Sequence, residues 1–174
     1  GIVCFSTPFD ETAVDFLESI NNPIYKIASF EITHLPLIKR VAQTKKPLII
    51  STGMATKKEI REAIDICKKA NNNNYSILKC TSNYPAEPSD ANLTSILDMI
   101  KTFKCPVGLS DHTPGIGVSV ASVTLGARII EKHITLDKND GSVDSKFSLD
   151  INEFQELIKE VNNAFYAIGK IHYG

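Results

Sequence analysis

A strand–helix rhythm constrains this sequence more than any other feature. Short apolar runs at residues 2–6, 25–29, 48–51, 76–81, 107–110 and 128–134 alternate with helix-period segments. Most runs are apolar at consecutive positions and end on turn residues, which is how strands covered on both faces read. The intervening patterns predict helices over 10–20, 34–44, 56–70, 92–103, 117–125 and 150–168. Asp10 is a candidate N-cap, and Ala13, Phe16, Leu17 and Ile20 follow it at helical spacing. Thr56 with Glu59 spells a capping box, ahead of the stripe Ile60, Ala63, Ile64 and Cys67. The other stripes are Leu37, Ile38 and Val41; Leu93, Ile96, Leu97 and Ile100; and Phe154, Leu157, Ile158, Val161 and Phe165. Residues 117–125 are small and apolar, as suits a helix packed closely on a sheet.

Strand alternating with helix implies an α/β fold with parallel strands and right-handed crossovers. An open doubly wound sheet and a closed barrel both satisfy that pattern. The polar residues favour the barrel. Ser6-Thr7, Ser29 to Glu31, Ser51-Thr52, Thr81-Ser82, Ser110-Asp111-His112 and His133 each follow a strand. In a TIM (β/α)8 barrel all such positions converge on one face, whereas in an open sheet only those near the switch point meet. About six βα units are visible in residues 1–174, so the expected fold is an incomplete barrel holding strands 3 to 8. The start of the chain reads as the interior of a domain, which puts the missing strands on its N-terminal side.

Composition excludes several classes of function. The formal net charge of −1 gives no field for nucleic acid or an anionic membrane surface. No apolar run reaches the about 18 residues that a membrane span needs. The four cysteines form no C-x-x-C pair and match no zinc or disulfide framework. Cys4, Cys80 and Cys105 lie in strand-like runs and read as buried hydrophobes, so a reducing cytoplasm is the expected compartment.

The strongest chemical feature is Gly108-Leu109-Ser110-Asp111-His112-Thr113 followed by Ile130-Glu131-Lys132-His133. Each histidine ends a strand, and adjacent strands lie about 4.8 Å apart. Two imidazoles so placed can share one metal ion and leave positions open for water and substrate; equally, each can simply hydrogen-bond. Asp111 orients a histidine, ligates, or caps a turn. Lys26 sits inside an otherwise apolar strand, where it needs a counter-charge. It either binds a phosphate or carboxylate, forms a Schiff base, or pairs internally with Glu31. Thr7, Ser29, Ser51, Thr52, Ser82 and Ser110 place hydroxyls at strand ends, as phosphate oxygens favour. Gly53 allows close backbone approach to a ligand. Tyr84, and Asp144 in the loop Asp140-Gly141-Ser142-Val143-Asp144-Ser145, are candidates to contact a sugar or are ordinary loop residues.

Taken in order, these strings resemble the sialic acid synthase family. Phe5-Ser6-Thr7-Pro8-Phe9-Asp10, Tyr25 to Glu31, Ser51-Thr52-Gly53-Met54, Lys79-Cys80-Thr81-Ser82 with Tyr84-Pro85, and the two histidine strings carry the resemblance. Gly141-Ser142-Val143-Asp144-Ser145 with Phe147-Ser148-Leu149 is most similar to the pseudaminic acid synthases; the neuraminic enzymes usually have Gly-Pro-Asp-His there. The resemblance implies condensation of phosphoenolpyruvate with an N-acetylated amino sugar and release of phosphate. It implies that Thr7, Lys26, Ser29, Ser51, Ser82 and Ser110 hold phosphoenolpyruvate, and that His112 and His133 ligate manganese or magnesium. Glu31, Tyr84 and Asp144 match sugar-contacting positions, and Lys26 acquires an electrostatic role.

The chain departs from the family at Ser82, where the neuraminic enzymes carry Asn. The resemblance further implies a cytoplasmic, homodimeric parent protein. Its first two barrel strands and C-terminal antifreeze-like domain lie outside this sequence. The expectation is a fragment with little activity alone and with exposed strand edges. The alternatives are a Schiff-base barrel aldolase using Lys26 and a non-catalytic barrel fragment that binds sugar phosphate.

Overall fold

A computed structural model describes residues 1–139 and 141–173, which form two compact units. The first comprises Gly1–Cys80 and Phe103–Pro106. Its elements alternate as the rhythm requires: α1 (Glu11–Ser19), β1 (Tyr25–Ile27), α2 (Leu35–Gln43), β2 (Leu48–Ser51), α3 (Lys57–Lys69) and β3 (Tyr75–Cys80). β1 pairs with β2 and β2 with β3, all parallel. The register aligns Tyr25 with Leu48 and Leu48 with Tyr75, so these lie on one face. Ile27, Ile50 and Ile77 extend that face and are fully buried. Leu37, Ile38 and Val41 of α2, and Ile60, Ala63, Ile64 and Cys67 of α3, are buried as their spacing predicts. Each aliphatic side chain so enclosed contributes about 1.5–3 kcal/mol relative to exposure. The opposite face aligns Lys26, Ile49 and Ser76.

Asp10 caps α1 by accepting from the Ala13 amide, and Thr56 and Glu59 close the capping box of α3. Three expectations fail in this unit. Residues 2–6 form no strand: only Ser6 makes a parallel bridge, to Tyr25, and residues 2–5 are exposed. The Ser6 amide donates to Asn22 Oδ1 at 3.1 Å, so a side chain takes the place of a ladder partner. Cys4 is accordingly exposed rather than buried. On α1 the buried residues are Val14 and Leu17, while Phe16 and Ile20 stay in solvent, because the packed arc is narrower than the apolar one.

The second unit comprises Thr81–Thr102 and Val107–Gly174. A short 3-10 turn, Pro88–Ala91, leads to α4 (Ser95–Phe103), and β4 (Val107–Asp111), α5 (Gly117–Thr124), β5 (Ile130–Lys132) and α6 (Ile151–Ala167) follow. β4 and β5 pair in parallel, α5 packs against α6, and Ser119 and Ser122 of α5 are fully buried. The strand expected over 128–134 shortens to β5, because Ile134 bridges to Leu149. The described residues thus hold five strands rather than six. α4 starts later than 92 because Asn92 adopts a left-handed conformation, φ 44°. Its buried line is Ile96, Met99 and Phe103, with Leu97 and Ile100 exposed. On α6 only Leu157 is buried, and Ile158 and Phe165 are half-exposed. Among the described residues no helix is long and apolar enough to cross a membrane.

Asp150 caps α6 by accepting from the Glu153 amide at 2.9 Å, and Glu153 returns the bond to the Asp150 amide at 2.9 Å. Asp150→Ala is expected to destabilise the protein by about 1 kcal/mol, read as a lower denaturant midpoint with unchanged slope.

Candidate active site

The chemistry-bearing residues of the second unit gather at the ends of β4 and β5. Alternation puts Ser110 and Glu131 on one face of the pair and Asp111 and Lys132 on the other. Ser110 Oγ donates to Glu131 Oε1 at 2.7 Å. One residue further on, His112 and His133 leave the strands with ring centroids 5.3 Å apart.

Backbone bonds aim these rings. His112 Nδ1 lies 2.9 Å from the Thr81 carbonyl, and the Ala86 amide donates to the His112 carbonyl at 3.0 Å. The segment 81–86 is therefore anchored at both ends, and it lays Tyr84 on His112 with ring centroids 4.3 Å apart. A carbonyl only accepts, so Nδ1 carries the proton and the lone pair of the neutral ring is on Nε2. On the other side the Leu149 amide donates to the His133 carbonyl and the Thr135 amide to the Leu149 carbonyl, both at 2.9 Å. That clasp brings in Phe147, buried, with its centroid 5.0 Å from His133 and 5.9 Å from His112.

Asp144 sits in a turn that bonds to itself: its carbonyl accepts from the Ser148 amide and hydroxyl. Its Oδ2 is 3.3 Å from His133 Nδ1. Burial first, then the neighbouring His112, lowers the pKa of His133 below the ordinary histidine value; Asp144 and Glu131 pull the other way without reversing it. His133 is therefore neutral at pH 7. Beside it opens a cleft of about 430 Å³ lined by Ile134, Thr135, Leu136, Ser142, Val143, Asp144 and Ser148. Asp140, which opens this loop in the sequence, lies outside the described residues.

These observations fit a divalent ion. Two rings binding one ion at about 2.0–2.1 Å, with roughly a right or tetrahedral angle between them, put their centroids about 5 Å apart. A tautomer fixed by a carbonyl and a carboxylate beside the second ring are what ligating histidines use. Among the described residues no group of three or more His, Cys, Asp or Glu side chains is placed to hold a metal.

Four expected site residues belong to the first unit's strand ends, along with Thr7, which is half-buried. Lys26 is buried on the face opposite Tyr25 and Ile27. Ser29 starts a 3-10 turn, Ser29–Glu31, and its Oγ accepts from the Gly53 amide at 3.1 Å, which joins two of the predicted strings. Ser51 Oγ and Glu31 Oε2 are buried polar atoms with no hydrogen-bond partner, as expected of groups that await a ligand. Thr52 Oγ1 instead donates to the Leu78 carbonyl, a structural bond. In the second unit Ser82 is half-buried. Sequence reasoning gave no role to Phe147 or Lys132, although both stand in strings it singled out. Lys132 stands beside Glu131 in the second histidine string, so no isolated charge marks it as one marks Lys26.

The NeuB family profile matches residues 1–173. The pseudaminic acid synthase of Helicobacter pylori is 45% identical over 166 residues, covering 95% of this chain and 49% of that protein. An N,N'-diacetyllegionaminic acid synthase of Campylobacter jejuni is 45% identical over 171 residues, covering 97% of this chain and 51% of that protein. The crystal structure of an N-acetylneuraminic acid (sialic acid) synthetase from Leptospira borgpetersenii, in complex with citrate, superposes with a TM-score of 0.95 at 34% identity. That match covers 99% of this chain and 60% of that one. The chain thus spans about half the length of the curated relatives it matches. Matched by the family profile along nearly all its residues, and about 45% identical to synthases over the same stretch, the chain belongs to the NeuB family of sialic acid synthases.

Proposed function

We propose that the protein carrying this chain condenses phosphoenolpyruvate with an N-acetylated amino sugar to make a sialic-type nonulosonic acid, with pseudaminic acid as the product. The observation that carries the reading is the His112–His133 pair, 5.3 Å between centroids, with Tyr84 and Asp144 against it. The chain supplies part of a (β/α)8 barrel, five of its parallel strands lying among the described residues. Its parallel strand pairs and the 0.95 superposition support that fold. The family resemblance implies that the whole protein works as a cytoplasmic homodimer.

A divalent ion, manganese or magnesium, held by His112 and His133 supplies Lewis acidity toward the open-chain sugar aldehyde. The Thr81 carbonyl holds the proton of His112 on Nδ1 and so leaves Nε2 for a ligand, and burial lowers the pKa of His133, which favours the neutral ring a metal needs. Lys26 sets a positive charge against phosphoenolpyruvate, Thr7, Ser29, Ser51 and Ser82 offer hydroxyls to its oxygens, and Ser110 joins them once its proton turns away from Glu131. Ser51 Oγ, buried without a partner, is the clearest of these donors. Glu31, Tyr84 and Asp144 hold the sugar. C3 of phosphoenolpyruvate forms a bond to the aldehyde carbon, whose oxygen takes a proton. Water adds at C2 and gives up a proton, and phosphate leaves with cleavage of its C–O bond.

Phosphate release tests the reading. With the whole protein it should require phosphoenolpyruvate, an N-acetylated amino sugar and a divalent ion together, and chelation should stop it. A borohydride-stable adduct between a keto acid and Lys26 would replace this mechanism with a Schiff base. Release of phosphate that ignores the sugar would remove the condensation altogether.

A further inference from the structure

Behind the two histidines lies a sealed polar knot that the proposed chemistry does not use. Asp111 and Lys132 stand opposite each other in the β4–β5 register, and their side chains are each 1% exposed. Lys132 Nζ donates to Asp111 Oδ2 at 2.9 Å, and Ser119 Oγ donates to the same oxygen at 2.6 Å. Asp111 Oδ1 accepts from the Thr113 amide at 2.9 Å and from the Thr113 hydroxyl at 2.7 Å. Lys132 Nζ also donates to the Thr113 carbonyl.

Stability alone does not account for this arrangement. Removing two charges from water costs several kcal/mol per ion, and apolar replacements of buried pairs are often neutral or stabilising. Its position does account for it. His112 follows Asp111 and His133 follows Lys132. The carboxylate ties residue 111 to residue 113 and so fixes the backbone on both sides of His112. The ammonium then ties that same turn to the residue before His133. The imidazoles leave on one face and the ion pair locks their backbones on the other.

We propose that the Asp111–Lys132 pair is a positioning device that sets the separation and angle of His112 and His133; this rests on the reading that those histidines hold the divalent ion. It acts through the backbone and touches no substrate. Its nearest analogue is the outer shell of hydrogen bonds that orients metal ligands, whose loss costs about 10–100-fold in metal affinity.

The test uses Asp111→Asn combined with Lys132→Met, which removes both charges, keeps an amide able to accept from Thr113 and conserves volume. In the whole protein three quantities are read: thermal unfolding, Mn2+ affinity from the electron paramagnetic resonance of free ion, and the ring tautomer of His112 from 15N shifts without metal. The expected result is a folded variant whose Mn2+ affinity falls about 10–100-fold. Its His112 ring should change from one tautomer, protonated on Nδ1, to a mixture. A folded double variant with wild-type affinity and tautomer overturns the proposal. His112→Ala separates the two levels. If it too keeps full Mn2+ affinity, the metal reading falls and takes the proposal with it. If it loses affinity while the double variant does not, only the positioning role is wrong. Should the double variant not fold, Ser119→Ala removes one bond to Asp111. A several-fold loss of Mn2+ affinity then supports the proposal, and unchanged affinity overturns it.

Discussion

Replacing His112 by alanine should abolish measurable Mn2+ binding and lower phosphate release by more than about 100-fold, beyond the range typical of outer-shell changes. The argument starts from the small ligand set. Among the described residues the ion has no third His, Cys, Asp or Glu side chain to fall back on. Removing one of two imidazoles therefore removes half of what this chain offers. The variant also strips the Thr81 carbonyl of its ring donor and Tyr84 of the ring it lies on. A buried acceptor left unpaired costs about 1–3 kcal/mol, so thermal unfolding must be measured alongside binding. Isothermal titration with Mn2+ checks the result. A folded His112→Ala protein with undiminished affinity would move the metal site elsewhere.

The largest stability effect is expected at Lys132. Lys132→Met leaves the Asp111 carboxylate buried, with Ser119 and Thr113 as its only recorded donors. Breaking a buried ion pair from one side costs about 3–5 kcal/mol. Domains are typically stable by about 5–15 kcal/mol, so the variant forfeits a large share of the total. At about 2–4 °C per kcal/mol for a protein of this size, the melting temperature should fall on the order of 10 °C. The single change should destabilise more than the paired Asp111→Asn, Lys132→Met change, because only the single variant keeps an uncompensated charge. The reverse order, measured by urea unfolding, would refute this account of the pair.

Helices were legible in the sequence wherever a cap and a stripe coincided. Thr56 with Glu59 marked the start of α3 to the residue, and the four stripe residues are all buried. α4 and α6 were harder, because a stripe shows which side chains are apolar but not which arc meets a neighbour. Leu97, Ile100, Ile158 and Phe165 belong to the pattern yet stay exposed. The strand over 2–6 failed for a related reason. Apolar content marks a segment fit to be a strand, but pairing makes it one, and only Ser6 finds a partner. At the site, strand-end position singled out His112 and His133, while Tyr84 and Asp144 stood out as loop residues only through the family resemblance; the structure sets Tyr84 against His112 and Asp144 against His133. Phe147 and the Thr81 carbonyl were hidden, one because its clasp through Leu149 is non-local, the other because backbone acceptors carry no sequence signature. Asp111 was read partly right: it caps the turn to Thr113, and its main partner is the unassigned Lys132.

The contact between Tyr84 and His112 gives the protein an optical handle. These 174 residues hold no tryptophan and five tyrosines, so within them near-ultraviolet emission comes mainly from phenol rings. One of the five lies 4.3 Å from an imidazole of the site. A paramagnetic occupant held by His112 would darken that ring. Binding can thus be followed as a partial loss of intrinsic fluorescence, with no dye attached.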